Sequence, residues 1–210
     1  MTQKQRTEII LTTLKKLYPT VGKFLDSSND HEFLFAVILS AQTTDKKVNE
    51  VTPKLFKKYK TLADYAKAKP EDIATYISHI NYYRNKSKFI VGAAQKLLDT
   101  FDGKIPKTIA ELILLPGVGR KTANVVLNNI HNIAEGIAVD THVIRLATNH
   151  GLTKHTDPQK IEQDLMKLLP QEEWFLFTKR AISYGRDYCP ATKHDHDQCP
   201  VNLAILKKQV

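Results

Sequence analysis

The sequence predicts an all-α protein, and three observations carry that reading. Apolar residues recur at helical spacing along nearly the whole chain. Helix starts are marked by capping residues. Nowhere do five or more residues alternate cleanly between turn signals with the β-branched enrichment a strand needs. In chain order, Ile9, Ile10, Leu14 and Leu17 make the first stripe. The run from Phe33 to Leu39 is apolar throughout, too short to cross a membrane, and reads as a buried helix. Val48, Val51, Leu55, Phe56 and Tyr59 fall on one helical face. Thr61 to Asp64 has the form of a capping box with Asp for Glu, and Thr108 to Glu111 has the standard form. Between them, Phe89, Ile90, Ala93, Ala94, Leu97 and Leu98 form another stripe. Asp157-Pro158 places a cap before a proline at the first helical position, ahead of the stripe Ile161, Leu165, Leu168 and Leu169. The expectation is roughly ten helices without a linker or low-complexity segment. The N-terminal helix has no evident core of its own and is expected to pack against C-terminal helices.

At 210 residues with 42% apolar content, the chain is long enough for one large or two small domains with a real core. Its 31 Lys+Arg against 22 Asp+Glu leave a net charge of +9, which favours a polyanionic partner, nucleic acid or an anionic membrane surface. The opening residues MTQKQRTEIILTTLKK carry charges where a signal peptide needs its apolar stretch. The two cysteines are too few and too close to the end to staple a fold. These features describe a soluble, cytosolic, basic protein.

The most informative stretch is LLPGVGRKTANVVL, Leu114 to Leu127. Pro116-Gly117-Val118-Gly119 must turn the chain, glycines supplying positive φ at no steric cost. Helical spacing resumes at Ala123, Val126 and Leu127, so the second helix opens directly from glycines. Its bare N–H groups and the positive end of its dipole make an anion site, and residues without Cβ let a phosphate reach the backbone. A plain tight turn between two helices is the other reading of the same residues.

LPGVGRKTANVVL resembles the helix-hairpin-helix of the endonuclease III DNA glycosylases. Further segments resemble that family in its order: LSAQTTD (39–45), INYYRNKS (80–87), AVDTHVIRLATN (138–149) and YGRDYC (184–189). The resemblance implies a helix-hairpin-helix DNA glycosylase fold of two helical domains with a DNA-binding cleft between them. One would span 23–134, with the hairpin at about 108–128, and the other would join 1–22 to 135–210. The implied activity is excision of oxidised pyrimidines from double-stranded DNA and strand cleavage at the abasic site. The protein would act as a monomer without a membrane, in the cytoplasm and on the nucleoid in a bacterium.

The resemblance makes Lys121 the nucleophile and Asp140 the catalytic carboxylate. A neutral amine can attack the sugar C1′ of a flipped nucleotide and form a Schiff base, after which the 3′ phosphate leaves by β-elimination. A carboxylate stabilises the oxocarbenium-like sugar as the base departs. Without the resemblance, Lys121 reads as a solvated or phosphate-facing cation, and Asp140, before Thr141-His142-Val143, as a helix N-cap. By the same resemblance Gln42 fills the vacancy left by the flipped base, and the loop Asn81-Tyr82-Tyr83 wedges the other strand. Here Asn81 stands where the family usually has glycine, and Tyr82 where an aliphatic residue is common. Arg84, Lys86 and Lys88 read as phosphate contacts, and the hairpin residues Leu115, Gly117, Val118, Gly119, Arg120 and Thr122 complete the implied DNA-binding set. A monofunctional adenine or mismatch glycosylase, whose hairpin commonly lacks the lysine, and a non-catalytic hairpin protein are the competing functions.

The C-terminal tail departs from the family. Four cysteines spaced C-x6-C-x2-C-x5-C, which bind a [4Fe–4S] cluster there, correspond here to Cys189, His196, Cys199 and Ile205. The expectation is therefore no cluster and no other cofactor, save a weakly held alkali ion on the 115–119 carbonyls. Cys189, His194, His196 and Cys199 match zinc spacings poorly. The segment is expected to be a relic loop of free thiols packed by Pro190, Pro200, Val201 and Leu203.

Overall fold

The computed structural model describes residues 1–208, and every regular element among them is helical. Twelve α-helices follow one another: α1 (Gln3–Leu17), α2 (Asp30–Ser40), α3 (Asp45–Lys58), α4 (Leu62–Lys67), α5 (Pro70–Tyr76), α6 (Tyr83–Phe101), α7 (Ile109–Leu112), α8 (Arg120–His131), α9 (Thr141–Asn149), α10 (Pro158–Leu168), α11 (Trp174–Asp187) and α12 (Pro200–Lys207). Two 3₁₀ turns lie at Gln171–Glu173 and His196–Gln198. The helices beyond the expected ten are short ones such as α4, α5 and α7, which have too few residues to show a helical period of their own. No helix among the described residues is long and apolar enough to cross a membrane.

The chain divides into two compact units, Lys23–Glu135 and Met1–Gly22 with Gly136–Val210. In the first, α2 is apolar on all sides because it is surrounded: every residue from Phe33 to Leu39 is buried. Tyr65 packs against Phe35 and Tyr59, with ring centroids 4.6 and 5.2 Å apart. The stripes of α3 and α6 supply Val48, Val51, Leu55, Ile90, Ala93, Ala94 and Leu97 to this core. Phe89 and Leu98, counted in the α6 stripe, lie at its margins and are exposed, because the apolar arc is wider than the contact face. The predicted caps form. Thr61 and Asp64 make a full capping box. Thr108 caps α7 in one direction only: its hydroxyl accepts from Glu111 N and donates to the Glu111 carboxylate.

In the second unit α1 packs against α11 and α12. Its Ile10 and Leu14 join Val143, Leu146, Ile161, Leu165, Phe177 and Tyr184 in one core. Polar bonds lock this packing. Arg180 donates to Tyr18 O at 3.1 Å and pairs with Glu173, which also meets Lys15, both at 2.7 Å. A buried guanidinium needs such partners, and it has them.

Candidate nucleic-acid interface and catalytic residues

The hairpin turn joins α7 to α8. Gly117 is left-handed at φ +80°, and a Cβ there would lie 2.8 Å from Phe89 of α6. Glycine is therefore demanded at that position twice, by backbone and by packing. Gly119 differs from the sequence expectation: its φ is −92°, and a Cβ would meet nothing. The fold does not require glycine at 119. The space in front of it is open, as a backbone-held anion would need. Gly119 is the N-cap of α8, and no side chain caps the first turn, which contains no acid and begins with Arg120 and Lys121. Leu115 and Val118 turn into the core, and Val118 N donates to Leu115 O at 3.1 Å. Their side chains anchor the turn in the core. Gly119, Arg120 and Lys121 are exposed and Thr122 is half-buried at the mouth of the helix.

The two other segments expected to face DNA meet each other. Gln42 and Tyr82 both sit in the left-handed region, at φ 53° and 58°. Such a conformation in residues with a side chain carries strain and is concentrated at functional loops. Asn81, standing where the family has glycine, donates from its amide to Gln42 O at 2.8 Å and so ties the loops together. Tyr82 is 64% exposed at the loop tip, whereas Tyr83 packs partly on the core with Arg84 stacked 5.5 Å from its ring centroid. α6 links these loops to the hairpin: Tyr83 begins it, and Phe89 and Gly92 abut Gly117 and Pro116.

Lys86 corrects the sequence expectation. It does not face phosphate: its side chain is buried, and its ammonium donates to Leu39 O at 2.8 Å, Ala41 O at 2.6 Å and Thr43 Oγ1 at 3.0 Å. Three donors meet three acceptors, which fastens the backbone on both sides of Gln42. Burial pushes the Lys86 pKa down to about 8, so the ammonium persists at neutral pH. Position alone could not have revealed this, because a lysine among basic residues reads as solvated. Lys86→Met should lower stability by about 2–3 kcal/mol, because two buried carbonyls lose a charged donor. The midpoint of urea unfolding measures that loss, and an unchanged midpoint would make the ammonium dispensable to the loop.

Asp140 is the N-cap of α9. Its Oδ1 accepts from His142 N at 3.0 Å and Val143 N at 2.9 Å, which leaves Oδ2 outside the cap. α9 is seated on α11 through a close approach at Gly185, where a Cβ would overlap the His142 ring and crowd the Arg145 guanidinium. Arg145 in turn donates from Nε and Nη2 to Cys189 O at 3.0 and 2.8 Å. Gly185→Ala should cost about 1–3 kcal/mol by overpacking and pull Arg145 off that carbonyl. A thermal midpoint several degrees lower is expected, and an unchanged one would mean the ring and guanidinium move aside freely.

The tail requires a second correction. The expected absence of a metal does not stand. Cys189, His194, His196 and Cys199 bring one ligand atom each to within 4.8 Å of one another, a group able to hold a metal ion. Both cysteines are free thiols and buried. Val201 is buried as expected, whereas Leu203 is exposed. Linear spacing misled here because the loop folds back on itself between α11 and α12, so that nine intervening residues span a short distance.

Residues 35–171 match the model of the HhH-GPD superfamily of base excision DNA repair proteins. The chain is 47% identical to Endonuclease III of Synechocystis sp., over 94% of this chain and 90% of the relative. It is 37% identical to Endonuclease III of Escherichia coli over 100% of this chain and 99% of that one. Among solved structures, a trapped covalent endonuclease III–DNA intermediate superposes with a TM-score of 0.90 at 40% identity, covering 96% of this chain and 94% of that one. A non-covalent endonuclease III–DNA complex gives 0.91 at 38%, covering both chains fully.

Proposed function

The chain belongs to the HhH-GPD superfamily and, within it, to the endonuclease III family, and from that membership we propose a bifunctional DNA glycosylase and abasic-site lyase acting on oxidised pyrimidines in duplex DNA. One observation carries the reading. An exposed lysine, Lys121, stands in the uncapped first turn of α8, directly behind an open glycine turn, where no carboxylate pairs with it along the helix. The relative trapped as a covalent intermediate on DNA supports a covalent step for this chain as well.

In the proposed reaction phosphates bind at the hairpin N–H groups and along the basic surface, consistent with the net charge of +9. Lys121 Nζ attacks C1′ of the flipped nucleotide, and the C1′–N bond to the base breaks with its electron pair leaving on the base nitrogen. Asp140 stabilises the positive charge that develops on the sugar. Ring opening gives a protonated Schiff base; loss of a C2′ proton then expels the 3′ phosphate. Gln42 and Tyr82 fill and wedge the opened duplex. An exposed tyrosine can stack on an orphaned base, a contact worth roughly 1–3 kcal/mol. Within the family the chain is a variant whose tail carries His196 and Ile205 at two of the four cysteine positions.

The test is incubation with duplexes containing one abasic site or one oxidised pyrimidine, with and without borohydride. Strand cleavage and a borohydride-stable protein–DNA adduct are expected on both. Base release without an adduct would indicate a monofunctional glycosylase, and binding without either product a non-catalytic hairpin protein.

A further inference from the structure

The loop between α11 and α12 gathers the chain's only two cysteines and two of its eight histidines at one point, outside the residues that the proposed reaction uses. The family's cluster fits this donor set poorly. Four thiolates hold such a cluster, and here there are two. A two-iron centre with mixed ligands puts its cysteines on one iron and its histidines on the other, so the two pairs stand apart. In this loop they interleave: Cys189 Sγ lies 3.6 Å from His196 Nδ1, and all four ligand atoms fall within 4.8 Å of one another. A tetrahedron with metal–ligand bonds of about 2.0–2.3 Å has edges of roughly 3.3–3.8 Å. Four donors within 4.8 Å of one another suit a single ion, at a spread somewhat wider than a bound tetrahedron has. We propose that Cys189, His194, His196 and Cys199 form a closed structural site for a single zinc ion.

Three further observations agree. His194 Nδ1 lies 2.9 Å from Thr192 O, an arrangement that places the proton on Nδ1 and leaves Nε2 as a lone-pair donor. Nε2 of His194, the other nitrogen of that ring, is buried without a hydrogen-bond partner. Burying an imidazole nitrogen in this way is unfavourable, and a bound cation at the His194 atom removes the cost. The backbone around the ligands is already held. Arg145 grips Cys189 O, Cys199 N donates to His196 O at 3.1 Å, and Asp195 caps the 3₁₀ turn that carries His196. Two thiolates with two imidazoles, without carboxylate or an open position, are the donors of structural zinc and leave no place for substrate. The bound ion would fix the loop, and through the Arg145–Cys189 contact it would steady the helix that Asp140 caps.

The experiment uses untagged full-length protein produced with both iron and zinc in the medium. Elemental analysis should give one zinc per chain without stoichiometric iron or acid-labile sulfide, and the visible spectrum should be featureless. Replacement by cobalt(II) should produce the d–d bands of a tetrahedral thiolate site. His194→Ala, a half-buried position whose loss the fold can bear, should weaken zinc binding in chelator competition by more than the roughly 10–100-fold lost with an outer-shell partner. His155→Ala, on an exposed histidine outside the group, should leave it unchanged. Iron with labile sulfide, protein free of metal, or zinc held as tightly by His194→Ala as by the parent would each overturn the proposal. These readouts do not depend on repair activity, so they stand apart from the proposed function.

Discussion

Lys121→Gln is expected to abolish the borohydride-stable adduct while leaving abasic DNA bound. Chemically, the amide cannot form a Schiff base, so the covalent route closes completely. Energetically, the fold has no use for the cation. Lys121 is exposed in the first turn of α8, next to Arg120, where the helix dipole disfavours positive charge. Removing one charge there should leave the thermal midpoint unchanged or raise it slightly, since a cation at a helix N-terminus costs about 0.3–1 kcal/mol. Gln and Lys have similar helix propensity, so the scaffold is preserved. Affinity for DNA should fall modestly, with a salt slope smaller by about one counterion. An adduct that persists in the variant would remove Lys121 from the covalent step. A stability loss would instead make it structural.

Asp140→Asn should slow base release by a factor on the order of 100–1000, the range seen when one electrostatic stabiliser of a transition state is removed. This substitution separates the observed cap from the proposed catalytic role. Oδ1 caps α9 through His142 N and Val143 N, and asparagine caps a helix about as well as aspartate does. The fold should therefore keep its stability, and what is lost is the negative charge proposed to stabilise the developing oxocarbenium. Single-turnover release of the base, measured alongside thermal unfolding, distinguishes the cases. A rate close to the parent's would leave Asp140 as a cap only. Slow release together with a lowered midpoint would mean the cap had been damaged too.

Much of the scaffold was legible because its causes are local. A stripe such as Val48, Val51 and Leu55 or a cap such as Asp157 before Pro158 acts within a turn or two of the chain, so spacing alone announces it. The positive φ of Gly117 was equally visible, since a turn between two helices needs such a residue. Other features were hidden because distant residues decide them. Gly119 is glycine in open space and not for its φ, and only the empty volume in front of it shows that. The loop proposed as the wedge has Asn81 where glycine was expected, yet the left-handed residue is Tyr82, and Asn81 uses its side chain to reach Gln42.

The sequence by itself determined the helical class and the basic charge, because periodicity and composition are properties of the chain in order, and its resemblance to a family singled out Lys121 and Asp140 as candidates. Only the tertiary structure decided what Lys86 and the tail residues do. A lysine becomes a loop clamp when three acceptors from residues 39 to 43 converge on it in a buried place. Two cysteines and two histidines at unpromising spacing come within reach of one metal ion when the loop between α11 and α12 closes on itself. In both, the deciding quantity is a distance of a few ångströms between atoms far apart along the chain, and the folded core sets that distance.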